Sequence, residues 1–107
     1  MVARVRNRSE KVLACIRENR EFTGSNLYGR EKVYGETCDT GMLVPNGDEH
    51  FLLRRAEYVV YSYETPIAAY VPGIGWWVNI EEYSLTTKRH QGIVRRALGD
   101  IPAVTTR

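Results

Sequence analysis

The groups in this chain that could do covalent or metal chemistry are two imidazoles, two thiols and a scatter of hydroxyls and carboxylates. His90 is the natural general base. Paired with Ser62, Ser84 or Thr87 as nucleophile, and with Glu64, Glu81 or Glu82 to orient the ring, it would make a base–nucleophile arrangement. No glycine-flanked serine elbow accompanies it, and no carboxylate stands at a diagnostic spacing. His90 also falls at the centre of an apolar helical stripe, whereas a general base must reach its substrate. The sequence therefore predicts a hydrogen-bonded core histidine and a protein that is not an enzyme. His50, His90, Cys15 and Cys38 have no recognisable ligand spacing, so no metal and no cofactor are expected. The two cysteines read as thiols in a reducing cytoplasm.

A second kind of chemistry, ionic recognition, is written more clearly. The segment "YSLTTKRHQGIVRRAL" (83–98) surrounds Gly92 with Lys88, Arg89, Arg95 and Arg96, its i−4, i−3, i+3 and i+4 neighbours. Glycine inside a helix costs about 1 kcal/mol relative to alanine. Lys88 and Arg89 stand near the positive end of the helix dipole, where cations are disfavoured. A bare Cα ringed by cations lets a phosphate approach closely, with Lys and Arg closing round it. The expected ligand is a nucleic-acid backbone, with Arg4, Arg6 and Arg8 of the N-terminal arm assisting.

Charge is segregated along the chain. Residues 1–20 carry +4, residues 84–107 carry +4, and residues 21–83 carry −6, within a formal net charge of +2. If the ends meet, as termini of one domain often do, they form a single basic face.

These residues need elements to position them. The 107 residues fit one domain, with 1–8 as a flexible basic arm. No apolar run approaches the ~18–20 residues that span a bilayer, and "MVARVRNRSEK" lacks the apolar stretch of a secretory signal. Ser9 is placed to cap a helix reaching about Asn19, which an earlier start at Val2 or Val5 would lengthen. Residues 22–41, with four glycines, read as turns and short strands; "MLVP" reads as another strand and "NGDEHFLLRRAE" as a short helix. "EYVVYSY" (57–63), "PIAAYV" (66–71) and "WWVNI" (76–80) read as an antiparallel meander, its second connection a type II turn over Pro72 and Gly73. Both faces of that meander are apolar, which calls for helices on one and the N-terminal segments or a second copy of the chain on the other. The last helix opens at Ser84, Thr86 or Thr87, stops at Gly99 before Pro102, and turns His90, Ile93, Val94, Ala97 and Leu98 inward.

Trp76 and Trp77 point to opposite faces, and either, if exposed, would stack a base or anchor a protein interface. Tyr83, Ser84, Thr87, His90 and Gln91 form a polar joint between helix and meander.

The elements "YVVYSY", "TPIA", a tryptophan after a short turn, and "YS-x-TT-x-x-HQ" opening a terminal helix together resemble a family of small uncharacterised proteins from actinobacteria and their bacteriophages. The resemblance covers residues 57–98, and "TGMLVP" more loosely. The family pattern has tryptophan directly after "PIA", where this chain has Ala69-Tyr70. The resemblance implies a phage or mobile-element product acting inside a bacterial cell, and it carries no activity.

The expected protein is an α+β domain, an antiparallel meander packed by N-terminal and C-terminal helices. Its expected role is non-enzymatic binding in the bacterial cytoplasm, with nucleic acid as ligand and no membrane partner. The competing expectation is a module that redirects a host bacterial protein through an aromatic sheet face. A homodimer is compatible with either.

Overall fold

A computed structural model describes residues 3–7, 9–31, 55–79, 83–99 and 101–106. Among these, strands β1 (Ala3–Arg4), β2 (Phe22–Thr23), β3 (Leu27–Glu31), β4 (Tyr58–Ser62), β5 (Thr65–Val71), β6 (Gly75–Asn79) and β7 (Ala103–Thr106) lie in one sheet in their sequence order. Helix α1 spans Glu10–Arg17 and α2 spans Leu85–Leu98. The fold is α+β.

The five inner strands are antiparallel, while β1 pairs with β2 and β6 with β7 in parallel. A parallel pair cannot be closed by a hairpin and needs a crossover. Helix α1 supplies one and α2 the other. Because β2 and β6 are separated by three strands of alternating sense, they run the same way. Two crossovers of the usual right hand then land both helices on one face. The packing agrees: Val12 and Ile16 of α1 and Val94, Ala97 and Leu98 of α2 share a core with Leu27, Tyr58, Val60, Ile67 and Trp76.

Side-chain alternation assigns the two faces. Tyr58, Val60, Trp76 and Val78 turn toward the helices, while Val59, Ala69, Val71 and Trp77 form a second buried cluster on the far face with Ala56. The far face is thus covered by this chain without a second copy, and not by the N-terminal helix, which lies with α2.

Pro66 interrupts neither strand of the central hairpin, because a bulge absorbs it. Val60 pairs with Ala68 and Tyr61 with Pro66, leaving Ile67 as the extra residue. Gly29 answers a close approach: a Cβ there would meet the Tyr58 hydroxyl and the edge of Phe22. Tyr58 uses that hydroxyl to donate to the Arg20 carbonyl at 2.8 Å. Burial pushes its ionisation far above the ordinary tyrosine range, so it stays a donor.

Several expectations shift. The N-terminal helix does not extend back to Val2. Ala3–Arg4 is an edge strand, and the Val5 N–H donates to Thr23 O at 2.9 Å, so part of the expected flexible arm is tied to the sheet. Ser9 occupies the cap position of α1, yet its hydroxyl donates to Arg6 O at 2.7 Å instead of capping. The "MLVP" strand lies outside the described residues, as does the helix expected from Asn46 or Asp48 through Phe51 and Leu52, except for its last residue, Arg55, which is helical. Gly73 takes φ +83° and the Ile74 N–H donates to Val71 O at 3.0 Å, as a type II turn through Pro72 requires.

Candidate functional site

Helix α2 is positioned by its first residues. Ser84 adopts an extended conformation, φ −61° and ψ 163°, and accepts from the Thr87 N–H at 3.3 Å. Gly99, at φ +53°, ends the helix with its N–H donating to Arg95 O at 3.0 Å. Between these caps Thr87, His90, Gln91, Val94, Ala97 and Leu98 are buried, and Lys88, Arg89, Arg95 and Arg96 are exposed on the opposite side. None of the four makes a salt bridge to a described residue. The ion pair seen among the described residues is Arg20–Glu18 at 3.0 Å, on the surface.

A Cβ built on Gly92 has nothing within 4 Å. No described side chain or backbone therefore requires a glycine here, and its φ is not in the left-handed region. The expected result for Gly92→Ala is a gain of about 1 kcal/mol in stability, read as a higher urea midpoint at unchanged slope. A fall in the midpoint would show that the position is packed.

The basic ends do come together. Helices α1 and α2 pack side by side, and Arg6, Lys11, Arg17 and Arg20 are exposed in and beside α1. Against these eight cations the same segments expose only Glu10 and Glu18. Arg4 lies in β1 with its side chain outside the described set, and Arg8 is outside the described residues.

On its inner side α2 is joined to the sheet by polar contacts. The His90 Nδ1 lies 2.6 Å from Ser62 Oγ, and its Nε2 lies 3.4 Å from Asn7 Nδ2. Asn7 cannot flip to suit the ring. Its Oδ1 accepts from the Ser25 N–H at 2.8 Å, and its Nδ2 donates to Ser25 O at 2.7 Å. The second Nδ2 hydrogen then faces Nε2, which must be the unprotonated nitrogen. Nδ1 therefore carries the proton and donates to Ser62 Oγ. The Ser62 hydroxyl donates in turn to Thr87 Oγ1 at 3.1 Å, which also accepts from Ser84 Oγ at 3.3 Å. This is the reverse of a base drawing a proton from a nucleophile. Ser62 is 0 % and His90 4 % exposed, and burial holds the imidazole below its ordinary pKa.

A second contact lies beside it. Gln91 Nε2 donates to Asn79 O at 2.9 Å, and Asn79 Nδ2 donates to Pro66 O at 3.0 Å and to Tyr83 Oη at 2.9 Å. Each of Tyr83, Ser84, Thr87, His90 and Gln91 thus enters a hydrogen bond at the helix–sheet junction. The sequence reading missed their partners Asn7, Ser25 and Asn79, which carry no local signal because they come from distant segments.

Neither tryptophan stands out from the surface. Trp76 is 4 % exposed beneath the helices, edge-on to Tyr58 and Tyr70, and Trp77 is 0 % exposed on the far face. The condition for stacking a base or anchoring a partner, an exposed indole, is thus not met, and both rings fill the two cores.

Cys15 is a half-buried free thiol at the helix-side core, its ionisation pushed up by burial against the lowering effect of Arg20. Cys38, His50, Glu81 and Glu82 lie outside the described residues. Among the described residues no three His, Cys, Asp or Glu side chains gather as a metal site. No helix among them is long and apolar enough to cross a membrane.

No curated protein and no solved structure matches the chain. A family model matches residues 11–98, a span that takes in α1 from Lys11 onward, the whole antiparallel meander and α2, and with them the cations around Gly92 and the polar residues of α2. The chain belongs to this family, described as a family of unknown function (DUF8033).

Proposed function

We propose that the protein binds the phosphate backbone of a nucleic acid on the outward side of α2, with the exposed cations of α1 and Arg6 extending the contact. The observation that carries this reading is the open Cα of Gly92, encircled by Lys88, Arg89, Arg95 and Arg96. Four cations that neutralise no described carboxylate, around a position kept bare at a cost in helix stability, suit a compact anion that must come close. Arg95 and Arg96 offer planar forks to phosphate oxygens, and Lys88 and Arg89 offer further donors. Arg4 and Arg8 complete the same surface in this reading.

The protein acts in this way without chemistry, as a bacteriophage-type factor in the cytoplasm of an actinobacterial host. The support for that setting is the joint pattern of "YVVYSY", "TPIA" and "YS-x-TT-x-x-HQ". The competing role, redirecting a host protein through the aromatic sheet face, has less support, because Val59, Ala69, Val71 and Trp77 are already covered.

Fluorescence anisotropy with labelled oligonucleotides across a salt series tests the proposal. The four α2 contacts alone imply an affinity loss on the order of 100-fold or more between about 50 and 200 mM salt. Arg95→Ala/Arg96→Ala should weaken binding at low salt and lower the slope of log affinity against log salt by about two. Equal, weak binding by the wild type and the double variant at low salt would sink the reading.

A further inference from the structure

Tyr63 occupies the first position of the two-residue turn between β4 and β5, with φ +57°. That left-handed conformation favours glycine, asparagine or aspartate, and a bulky ring there is an outlier. The backbone around it is clamped. The Tyr63 N–H donates to Asn26 O at 2.8 Å, and its carbonyl accepts from the Tyr28 hydroxyl. The ring itself is 45 % exposed, and its centroid lies 6.4 Å from that of His90 at a tilt of 39°.

The surroundings narrow what that ring can hold. Asn26, Tyr28, Glu64 and Thr65 line a shallow cleft with it. Tyr28 is not a second platform, because Tyr61 stacks against it at 5.3 Å and the Arg30 guanidinium stands 5.0 Å over its ring. One accessible aromatic ring cannot cage a quaternary ammonium, which needs several walls. It suits one flat ligand ring, with the exposed Asn26 amide and Glu64 carboxylate at hand to accept from amino and imino hydrogens on that ring's edge. His90, whose ring lies beside Tyr63, and Asn7, the partner of that ring, are each preceded in the chain by an exposed cation, Arg89 and Arg6.

We infer that Tyr63 is a stacking platform for an unpaired nucleobase, so that the ligand of the cationic helix face is single-stranded. This rests on the phosphate-binding reading of α2 and specifies its ligand. A base in a duplex is paired and stacked on both sides and cannot offer its face. A strand with free bases can lay one on Tyr63 while its phosphates turn away from Glu64 toward α2.

The test compares the full chain with Tyr63→Asn, which keeps a residue suited to the left-handed turn but removes the ring, and with Tyr63→Phe, which keeps a ring. Anisotropy is measured with one sequence as single-stranded DNA, single-stranded RNA and duplex DNA. Tyr63→Asn is expected to weaken single-strand binding about 5- to 100-fold, leave duplex binding unchanged, and be rescued by Tyr63→Phe. In the wild type, an oligonucleotide carrying 5-iodouracil should photocrosslink at Tyr63, a readout independent of how any variant folds. Unchanged single-strand affinity in Tyr63→Asn, a wild-type preference for duplex, or crosslinks confined to other residues would overturn the platform. In those cases Arg95→Ala/Arg96→Ala would still weaken binding, so the helix-face reading would survive. Failure of the wild type to bind any of the three nucleic acids at low salt overturns both.

Discussion

Trp76→Ala should cost about 3–5 kcal/mol, the range for deleting a large aromatic from a packed core. The indole lies between sheet and helix layer at 4 % exposure, with Tyr58 edge-on at 6.0 Å and Tyr70 at 5.8 Å. Removing it takes away contacts on two tyrosines at once and opens a void in the cluster that also holds Val60, Val78 and Leu98, which cannot fill it without moving. For a domain of this size the melting temperature should fall on the order of 20 °C. Trp76→Phe, which retains a ring for both edge-on contacts, should lose much less. Thermal unfolding followed by circular dichroism distinguishes the two variants. A Trp76→Ala protein that melts like the wild type, yet no longer binds its ligand, would return the indole to an interaction role.

His90→Leu should cost about 1–3 kcal/mol, because it removes a partner from the buried Ser62 hydroxyl and from the half-buried Asn7 amide. Asn7 Nδ2 loses the acceptor for its second hydrogen, and Ser62 Oγ loses the donor at 2.6 Å. A leucine of similar bulk satisfies neither. The same geometry makes stability depend on pH. Burial lowers the His90 pKa below its unfolded value near 6.5, so the folded state binds fewer protons than the unfolded one. Stability is then at its full value above about pH 6.5 and is lost as pH falls through the folded-state pKa. Structurally, the added proton arrives on Nε2 and faces an amide hydrogen that cannot turn away, since Asn7 is held at both ends by Ser25. The wild-type urea midpoint should drop between pH 7.5 and pH 5, and His90→Leu should show a flatter profile over that interval. A wild-type midpoint that stays level, or a variant that follows the wild-type slope, would mean that the ring is protonated without penalty.

The parts that could be read from the chain are those where local chemistry and long-range packing agree. "YVVYSY", "PIAAYV" and "WWVNI" combine β-branched and aromatic residues with Pro72-Gly73 between two of them; β4 lies within the first run, and β5 and β6 each begin one residue before theirs. Helix α2 has a hydroxyl cap, an unbroken 3.6-residue stripe and a glycine stop, and all three are used. The edge strands were not legible. Ala3–Arg4 is too short to show alternation, and Ala103–Thr106 follows Pro102 where a stop signal already dominates. Both exist because a neighbour offers a free row of backbone groups, which is a property of the sheet and not of the segment. The candidate site divides in the same way. The cations around Gly92 follow from helical geometry alone, whereas the partners of His90 arrive from positions 7 and 62, and no spacing rule spans such distances. Tyr63 was passed over because a tyrosine in a run of strand formers looks like strand. Its left-handed φ is imposed by the register of Ser62 against Thr65.

The two crossovers also limit how this architecture can vary. Helices α1 and α2 share a layer only because an odd number of strands runs from β2 to β6. Inserting or deleting a single strand in the meander would reverse the last crossover and send α2 to the far side, away from α1 and with its arginines on the opposite surface. Size variants that keep a joint cationic layer must therefore gain or lose strands two at a time, as whole hairpins.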